Sequence, residues 1–220
     1  MEPRPTPVKA PGPDSCILVI DDDAEFRASV GRLLRSVGLD SRLFASIHDY
    51  LHFDPPDCPT CLLLDVRLPG RSGLDFQRDL AAKNSEIPII FVTAHGDIPM
   101  TVQAMKGGAI EFLTKPFRDQ DLLDAVNLGL ARDRARREQN QALSLIRARF
   151  EALTPREQAV MIEVVRGRLS KQIANDMGIT EGTVKVHRSN LMRKMGVGST
   201  ADLCHIADRL KLIADEPVSP

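Results

Sequence analysis

The chain has no tryptophan, one tyrosine (Tyr50) and only 4% aromatic residues over its 220 positions. So few rings argue against a platform on which nucleic-acid bases stack. No run approaches the roughly 18 apolar residues that a membrane-spanning helix requires. The first fourteen residues hold five prolines and no apolar stretch, so they do not read as a signal peptide. Cysteine is scarce too, at four. A cytoplasmic, reducing location without membrane attachment is the expectation. What is present, 43% apolar and 27% charged residues, is the composition of a globular protein.

Net charge is almost absent as well, at −1, but it is unevenly spread. Residues 15–130 carry eleven Lys/Arg against seventeen Asp/Glu, and residues 131–220 carry sixteen against eleven. An acidic half joined to a basic half suggests two domains with different partners, the basic one a candidate for nucleic acid.

Cys58-Pro-Thr-Cys61 invites a redox or zinc reading. A structural zinc site takes four ligands, and the sequence offers no second pair nearby. A thioredoxin-type motif follows a strand and opens a helix, whereas this one precedes the apolar run Cys61-Leu-Leu-Leu-Asp65. A packing role is expected. His48 and His52, four apart, read as solvated helix residues rather than a metal pair, and His187 as a packing or backbone-bonding residue rather than a metal ligand.

The first half alternates between short β-like runs (16–20, 41–44, 61–64, 87–93 and 109–113) and amphipathic helical patterns. Phe26, Val30, Leu33, Leu34 and Val37 share one helix face, and Gly38 stops it. Alternation of this kind predicts a doubly wound, five-stranded parallel sheet covered on both faces. Sites in such sheets lie beyond the carboxyl ends of the strands. There the sequence puts Asp21-Asp22-Asp23, Asp65, Thr93 and Lys115-Pro116. Clustered carboxylates suit Mg²⁺, a hard cation. A lysine and a threonine can meet phosphoryl oxygens while one carboxylate stays free as nucleophile. The chemistry that fits is phosphoryl transfer to an aspartate. A haloacid-dehalogenase-type phosphatase would also use Asp21-x-Asp23, but the further acidic pair it requires on a later strand end is missing.

Asp21-Asp22-Asp23, Leu-Leu-Asp65-Val-Arg67-Leu-Pro69-x-x-x-Gly73, Thr93-Ala94 and Lys115-Pro116-Phe117 together resemble a two-component receiver domain over about residues 15–130. The stretch from Thr93 to Met100 is similar to the FixJ branch. The resemblance implies a flavodoxin-like fold and Asp65 as phosphoacceptor. It implies Mg²⁺ held by Asp22, Asp65 and the Arg67 backbone carbonyl, with Asp21 acting largely through water. It implies Thr93 and Lys115 on the phosphoryl group, a cis Lys115–Pro116 bond, and Phe112 as a switch residue that follows Thr93. Arg67 and His95 are expected at the mouth of the site. Val102 and Lys106 are expected on a surface that dimerises after phosphorylation.

The second half shows no strand signal. Residues 131–148 read as a charged, solvated helical linker. Thr154, Pro155 and Glu157 supply the parts of a capping box. Ser170 is expected to cap a short helix that Gly178 stops, Thr180 to cap a longer one over 181–195, and Ser199 with Asp202 to open a fourth. Helix, turn and longer helix is helix-turn-helix spacing. Residues 168–194 carry six Lys/Arg against two acids, a fit to phosphate contact. Val184, Leu191 and Met195 are expected to face inward. Leu153-Thr-Pro-Arg-Glu157, Ile173-Ala174 and Thr183-Val-Lys-Val-His-Arg188 resemble the LuxR-type, all-α, four-helix DNA-binding domain over about residues 149–214, with tails at 1–14 and 215–220. That resemblance implies Lys185, Val186 and Ser189 as groove contacts and Arg188 and Arg193 as phosphate contacts. Taken together, the two halves imply a transcriptional regulator rather than a metabolic enzyme. Its partners would be a sensor histidine kinase, an inverted-repeat operator in double-stranded DNA, and a second copy of itself once phosphorylated.

Overall fold

In the computed structural model, which describes residues 14–94 and 96–212, the apolar runs of the first half become a parallel sheet. The strands β1 (Cys16–Ile20), β3 (Thr60–Leu64) and β6 (Ile89–Thr93) are buried along their whole length, as strands covered on both faces must be. The edges are β2 (Asp40–Phe44) and β7 (Glu111–Thr114), giving the order β2-β1-β3-β6-β7 with every pairing parallel. Alternate residues feed two cores. Leu18, Leu62 and Phe91 face one side with Phe76, and Ile17, Leu63 and Ile90 face the other with Val126. Full burial of one such side chain stabilises the fold by about 2 kcal/mol.

On the helix α1 (Ala24–Ser36) the expected stripe is inward at Val30 and Leu34. Val37 departs from it and is 50% exposed. The chain has already left the helix there, with Val37 at φ −105° and Gly38 at φ +78°, so the side chain no longer tracks the stripe. The strand β6, expected from 87, begins two residues later, because Pro88 has no N–H to offer a ladder. A small antiparallel pair, β4 (Arg67–Leu68) and β5 (Arg71–Ser72), was not foreseen. Gly70 at φ +80° makes its turn. The helices α2 (Ile47–Leu51), α3 (Gly73–Ala82) and α4 (Ile98–Lys106) complete the alternation.

Cys58 and Cys61 are free thiols, and they pack into the cores on opposite sides of the sheet. Burial pushes the Cys61 thiol up to about 12. Gly129 makes room for it, since a Cβ there would sit 2.5 Å from Cys61 Sγ. The C-x-x-C sequence is therefore packing. The His48 and His52 rings lie 4.4 Å apart, tilted by 55°, and His52 Nδ1 lies 2.8 Å from the His48 carbonyl oxygen.

The helix α5 (Asp119–Glu151) runs unbroken for 33 residues, and the chain divides into two compact units after Arg137. The reading of 131–148 as uniformly solvated needs correction. Asp133 is 1% exposed and accepts from the Thr60 N–H at 2.9 Å. Arg136 and Arg137 reach the same carboxylate at 2.5 and 2.7 Å, and Arg137 also bonds Asp57 at 2.8 Å. Burial pushes the Asp133 carboxyl up, but these donors outweigh it and hold it below the usual carboxylate range. The early part of this stretch thus belongs to the first unit.

The second unit packs α6 (Pro155–Val165), α7 (Ser170–Met177), α8 (Glu181–Met195) and α9 (Thr200–Leu210) around Val160, Met161, Ile173, Val184, Leu191, Met195 and Leu203. The Thr154 capping box, the Thr180 and Ser199 caps and the left-handed Gly178 stop stand where the sequence put them. Ser170 does not cap α7 but is its first residue. Leu169 holds the cap position, its N–H satisfied by Gln172 Oε1 at 2.9 Å. The tails expected at 1–14 and 215–220 lie outside the described residues except Asp14, as do His95 and the last two residues of the span 149–214.

Candidate functional site

The carboxyl edge of the sheet gathers its polar residues through strand register. Ile20 pairs with Leu64 across β1 and β3, so Asp21 and Asp65 emerge side by side. The Asp65 N–H donates to the Ile20 carbonyl at 2.9 Å. Carboxylate oxygens of Asp21, Asp22 and Asp65 all lie within 4.8 Å of one another. Asp21 is 1% exposed and Asp65 8%, whereas Asp22 is exposed. Three carboxylates this close fit a hard divalent cation that takes oxygen ligands.

The backbone around these acids is tightly set. Asp21 Oδ1 accepts from the Asp23 N–H at 3.0 Å, and Asp65 Oδ1 from the Arg67 N–H at 3.0 Å. Asp23 caps α1 by accepting from the Glu25 and Phe26 N–H groups. Gly73 opens α3 directly over Asp65: a Cβ there would lie 2.2 Å from the Asp65 carbonyl oxygen. Arg27, which the sequence reading passed over, donates to the Asp21 carbonyl at 2.6 Å. Its signal was an arginine one turn into the helix that follows the acids.

Lys115 enters from the end of β7, where its N–H donates to the Thr93 carbonyl at 2.8 Å. Its Nζ is 2.5 Å from Asp21 Oδ2 and 3.5 Å from Asp65 Oδ2. Burial pushes the Asp21 carboxyl up, and the Lys115 ammonium and the Asp23 N–H offset only part of that. The Lys115–Pro116 bond is cis. Thr93 closes β6 and is 1% exposed. Phe112 is half-buried, 6.2 Å from the Phe91 ring. It underlies the loop after Thr93, for a Cβ on Gly96 would meet its ring at 2.7 Å. The Arg67 side chain is exposed. On α4, Val102 (45% exposed) and Lys106 stand in solvent, with Ile98 and Met105 exposed on the same helix.

A second candidate site lies in the other unit. Val184, Leu191 and Met195 anchor one face of α8 at 0% exposure. Lys185, Val186, Ser189 and Arg193 are exposed, Val186 at 59%. Lys185 pairs with Glu181 at 3.0 Å. Arg188 differs from the rest: it is half-buried, 3.4 Å from Ser170 Oγ and 3.5 Å from Thr200 Oγ1. It tethers α8 to the starts of α7 and α9. Below the helix, Glu157 accepts from Lys194 at 2.7 Å and from the Thr154 N–H at 2.8 Å.

An acidic sheet edge with a paired lysine and a helix-turn-helix with an exposed second helix define the two parts of a response regulator. The profile of the response regulator receiver domain matches residues 17–127, and that of the bacterial regulatory proteins of the luxR family matches residues 151–207. The chain belongs to the NarL/FixJ family of response regulators, the transcriptional regulators of two-component systems. It is 51% identical over 199 residues to "Nodulation protein W" of Bradyrhizobium diazoefficiens, covering 90% of this chain and 88% of that one. It is 40% identical over 189 residues to "Transcriptional regulatory protein FixJ" of Azorhizobium caulinodans, covering 86% and 90%. Among solved structures, that of response regulator StyR superimposes with a TM-score of 0.79 at 46% identity, covering 89% of this chain and 99% of that one. Full-length FixJ from B. japonicum gives a TM-score of 0.53 at 36% identity, covering 90% and 98%. Among the described residues, no helix is long and apolar enough to cross a membrane.

Proposed function

We propose that Asp65 accepts a phosphoryl group from a sensor histidine kinase in the cytoplasm, and that this controls binding of α8 to DNA. The observation that carries the reading is the convergence of Asp21, Asp22 and Asp65 within 4.8 Å, with Lys115 Nζ 3.5 Å from Asp65 Oδ2. Asp65 Oδ2 attacks phosphorus as the bond to the kinase's histidine nitrogen breaks. Its other oxygen is occupied by the Arg67 N–H, which leaves Oδ2 on the Lys115 side. Asp21, Asp22, Asp65 and the Arg67 carbonyl would hold Mg²⁺, and the bound cation supplies charge neutralisation for the phosphoryl oxygens. Lys115 gives up part of its bond to Asp21 and adds its own positive charge to those oxygens. Thr93 donates its hydroxyl to another.

When Thr93 turns toward the phosphoryl group, space opens and the Phe112 ring moves inward. This reshapes the surface formed by Val102 and Lys106 on α4 and pairs two receivers. A two-fold pair delivers two copies of α8 to the half-sites of an inverted repeat. Lys185, Val186 and Ser189 meet the groove, and Arg188 and Arg193 the phosphates. The working division is a receiver over 15–130 whose last helix stays with it through Arg137, a helical linker over the rest of 131–148 and a DNA-binding domain over 149–214, with tails at 1–14 and 215–220. The chain acts as a switch, with turnover confined to its own aspartate.

Asp65→Asn tests the reading. With a small acyl phosphate as donor, the wild type is expected to be labelled in the presence of Mg²⁺ and unlabelled in excess chelator. The variant is expected to lose labelling in both, because an amide is a poor nucleophile. Undiminished labelling of the variant sinks the assignment. Sedimentation of the phosphorylated protein as a monomer, at concentrations that occupy DNA, rejects the dimer route.

A further inference from the structure

Lys115 is held on three sides, and only two of them are oxygens. Besides Asp21 and Asp65, its Nζ lies 3.6 Å from the centroid of the Phe26 ring. Phe26 sits in the first turn of α1, where the Asp23 carboxylate accepts from its N–H at 3.1 Å. The acid that ends the first strand's motif thus also sets where this ring stands. Phe117 meets the same ring in a T-shaped contact, at 6.0 Å and 89°. Both rings pack against the core that contains Val30 and Leu34. Phe26, Leu33, Pro116 and Phe117 line an open groove of about 420 Å³ that also touches Lys115.

A lysine ammonium is a compact, strongly hydrated charge on a flexible stem. The carboxylates hold it through Asp21 and, at longer range, Asp65, and the ring contact limits where else it can go. The negative face of an aromatic ring adds a further attraction on the cation, stronger where water is excluded. The Lys115 side chain is 17% exposed, so that condition is met. A leucine or valine at position 26 would fill similar space without offering a negative face.

We propose that Phe26 is a positioning residue, whose ring face holds the Lys115 ammonium in place beside Asp65 before the phosphoryl group arrives. The inference rests on the reading of Asp65 as phosphoacceptor. A cation already ordered at the site need not be gathered from solvent in the transition state. The sequence carried no sign of it, because Phe26 doubles as a member of the helix's apolar stripe.

The test replaces Phe26 in the full-length protein by 4-fluoro-, 3,5-difluoro- and 3,4,5-trifluorophenylalanine. This series keeps the ring nearly the same size while draining the charge from its face. With saturating Mg²⁺ and acyl phosphate, the labelling rate should fall stepwise, reaching about tenfold, or about 1.4 kcal/mol of barrier, at the trifluoro ring. Phe26→Leu should fall as far, and Phe26→Tyr should stay within about twofold of wild type. One readout needs no phosphorylation. The Lys115 protons next to Nζ should resonate upfield of those of other lysines in the wild type, and return in Phe26→Leu. Equal rates across the fluorinated series, or Lys115 resonances at the ordinary position, would overturn the proposal. Absence of labelling in the wild type with the upfield signal present would instead sink the phosphoacceptor reading and leave the ring contact standing.

Discussion

Asp21, Thr93 and Asp65 are 1%, 1% and 8% exposed at the end of the sheet, whereas Lys185, Val186, Ser189 and Arg193 stand in solvent along one helix. The first group comes from three strands and is fixed by register, backbone donors and a glycine that lets α3 close over Asp65. The second comes from a single helix, aimed by what its opposite face buries. A buried site depends on everything that packs around it. A surface site depends on its own side chains and on the stability of the element beneath.

That contrast is tested most severely at Gly73. Gly73→Ala drives a methyl into the Asp65 carbonyl, so the first unit should lose about 3 kcal/mol of stability and labelling should fall at least about tenfold. Calorimetric unfolding and labelling rates measure both, and an unchanged variant would mean that this close approach does not govern the site. Next is Asp133→Ala, which leaves the Thr60 N–H and two guanidinium groups without their carboxylate. Because both arginines are partly exposed, the loss is expected at about 2 kcal/mol rather than the larger figure for a fully buried network. Hydrogen exchange should reveal faster opening over 131–137.

The surface site should behave in the opposite way. Lys185→Ala and Val186→Ser should leave stability within about 0.5 kcal/mol. Each should nevertheless weaken binding to an operator fragment by about 1–2 kcal/mol in anisotropy titrations at fixed salt. A matching loss of stability would show that the exposed face of α8 also supports its fold.

The smallest effect is expected at Glu157. Lys194 and the Thr154 N–H hold its carboxyl below the usual carboxylate range. With the folded pKa below the unfolded one, Glu157 contributes stability above the ordinary carboxylate range and loses it as pH falls through its folded value. Glu157→Gln keeps the cap but removes the charge. The second unit of the wild type should melt about 5 °C above that of the variant at pH 7, on the order of 1 kcal/mol, and the gap should close as pH falls through the lowered folded value. A gap that persists in acid assigns the effect to shape rather than charge.

Much of the molecule could be read from local patterns. Thr154-Pro155-x-Glu157, Thr180 and Ser199 announced their helices because a cap is satisfied within four residues. The apolar runs announced strands because a parallel sheet buries both faces. Local patterns failed where a neighbour in space supplied what the chain did not. Leu169 became a cap through Gln172, and Val37 turned outward once the backbone left the helix.

The amino-acid sequence by itself determined the two-part organisation, the αβ alternation, the acids and lysine at the strand ends, and the inward face of α8. These follow from periodicities and caps that act over a few residues. Only the tertiary structure decided that Asp133 is buried under Thr60, that Cys58 and Cys61 point into different cores, that Gly73 must lack a side chain over Asp65, and that Phe26 lies against Lys115. Each of these depends on register and packing, because side-chain burial and partner choice are set by the atoms that arrive from elsewhere in the chain.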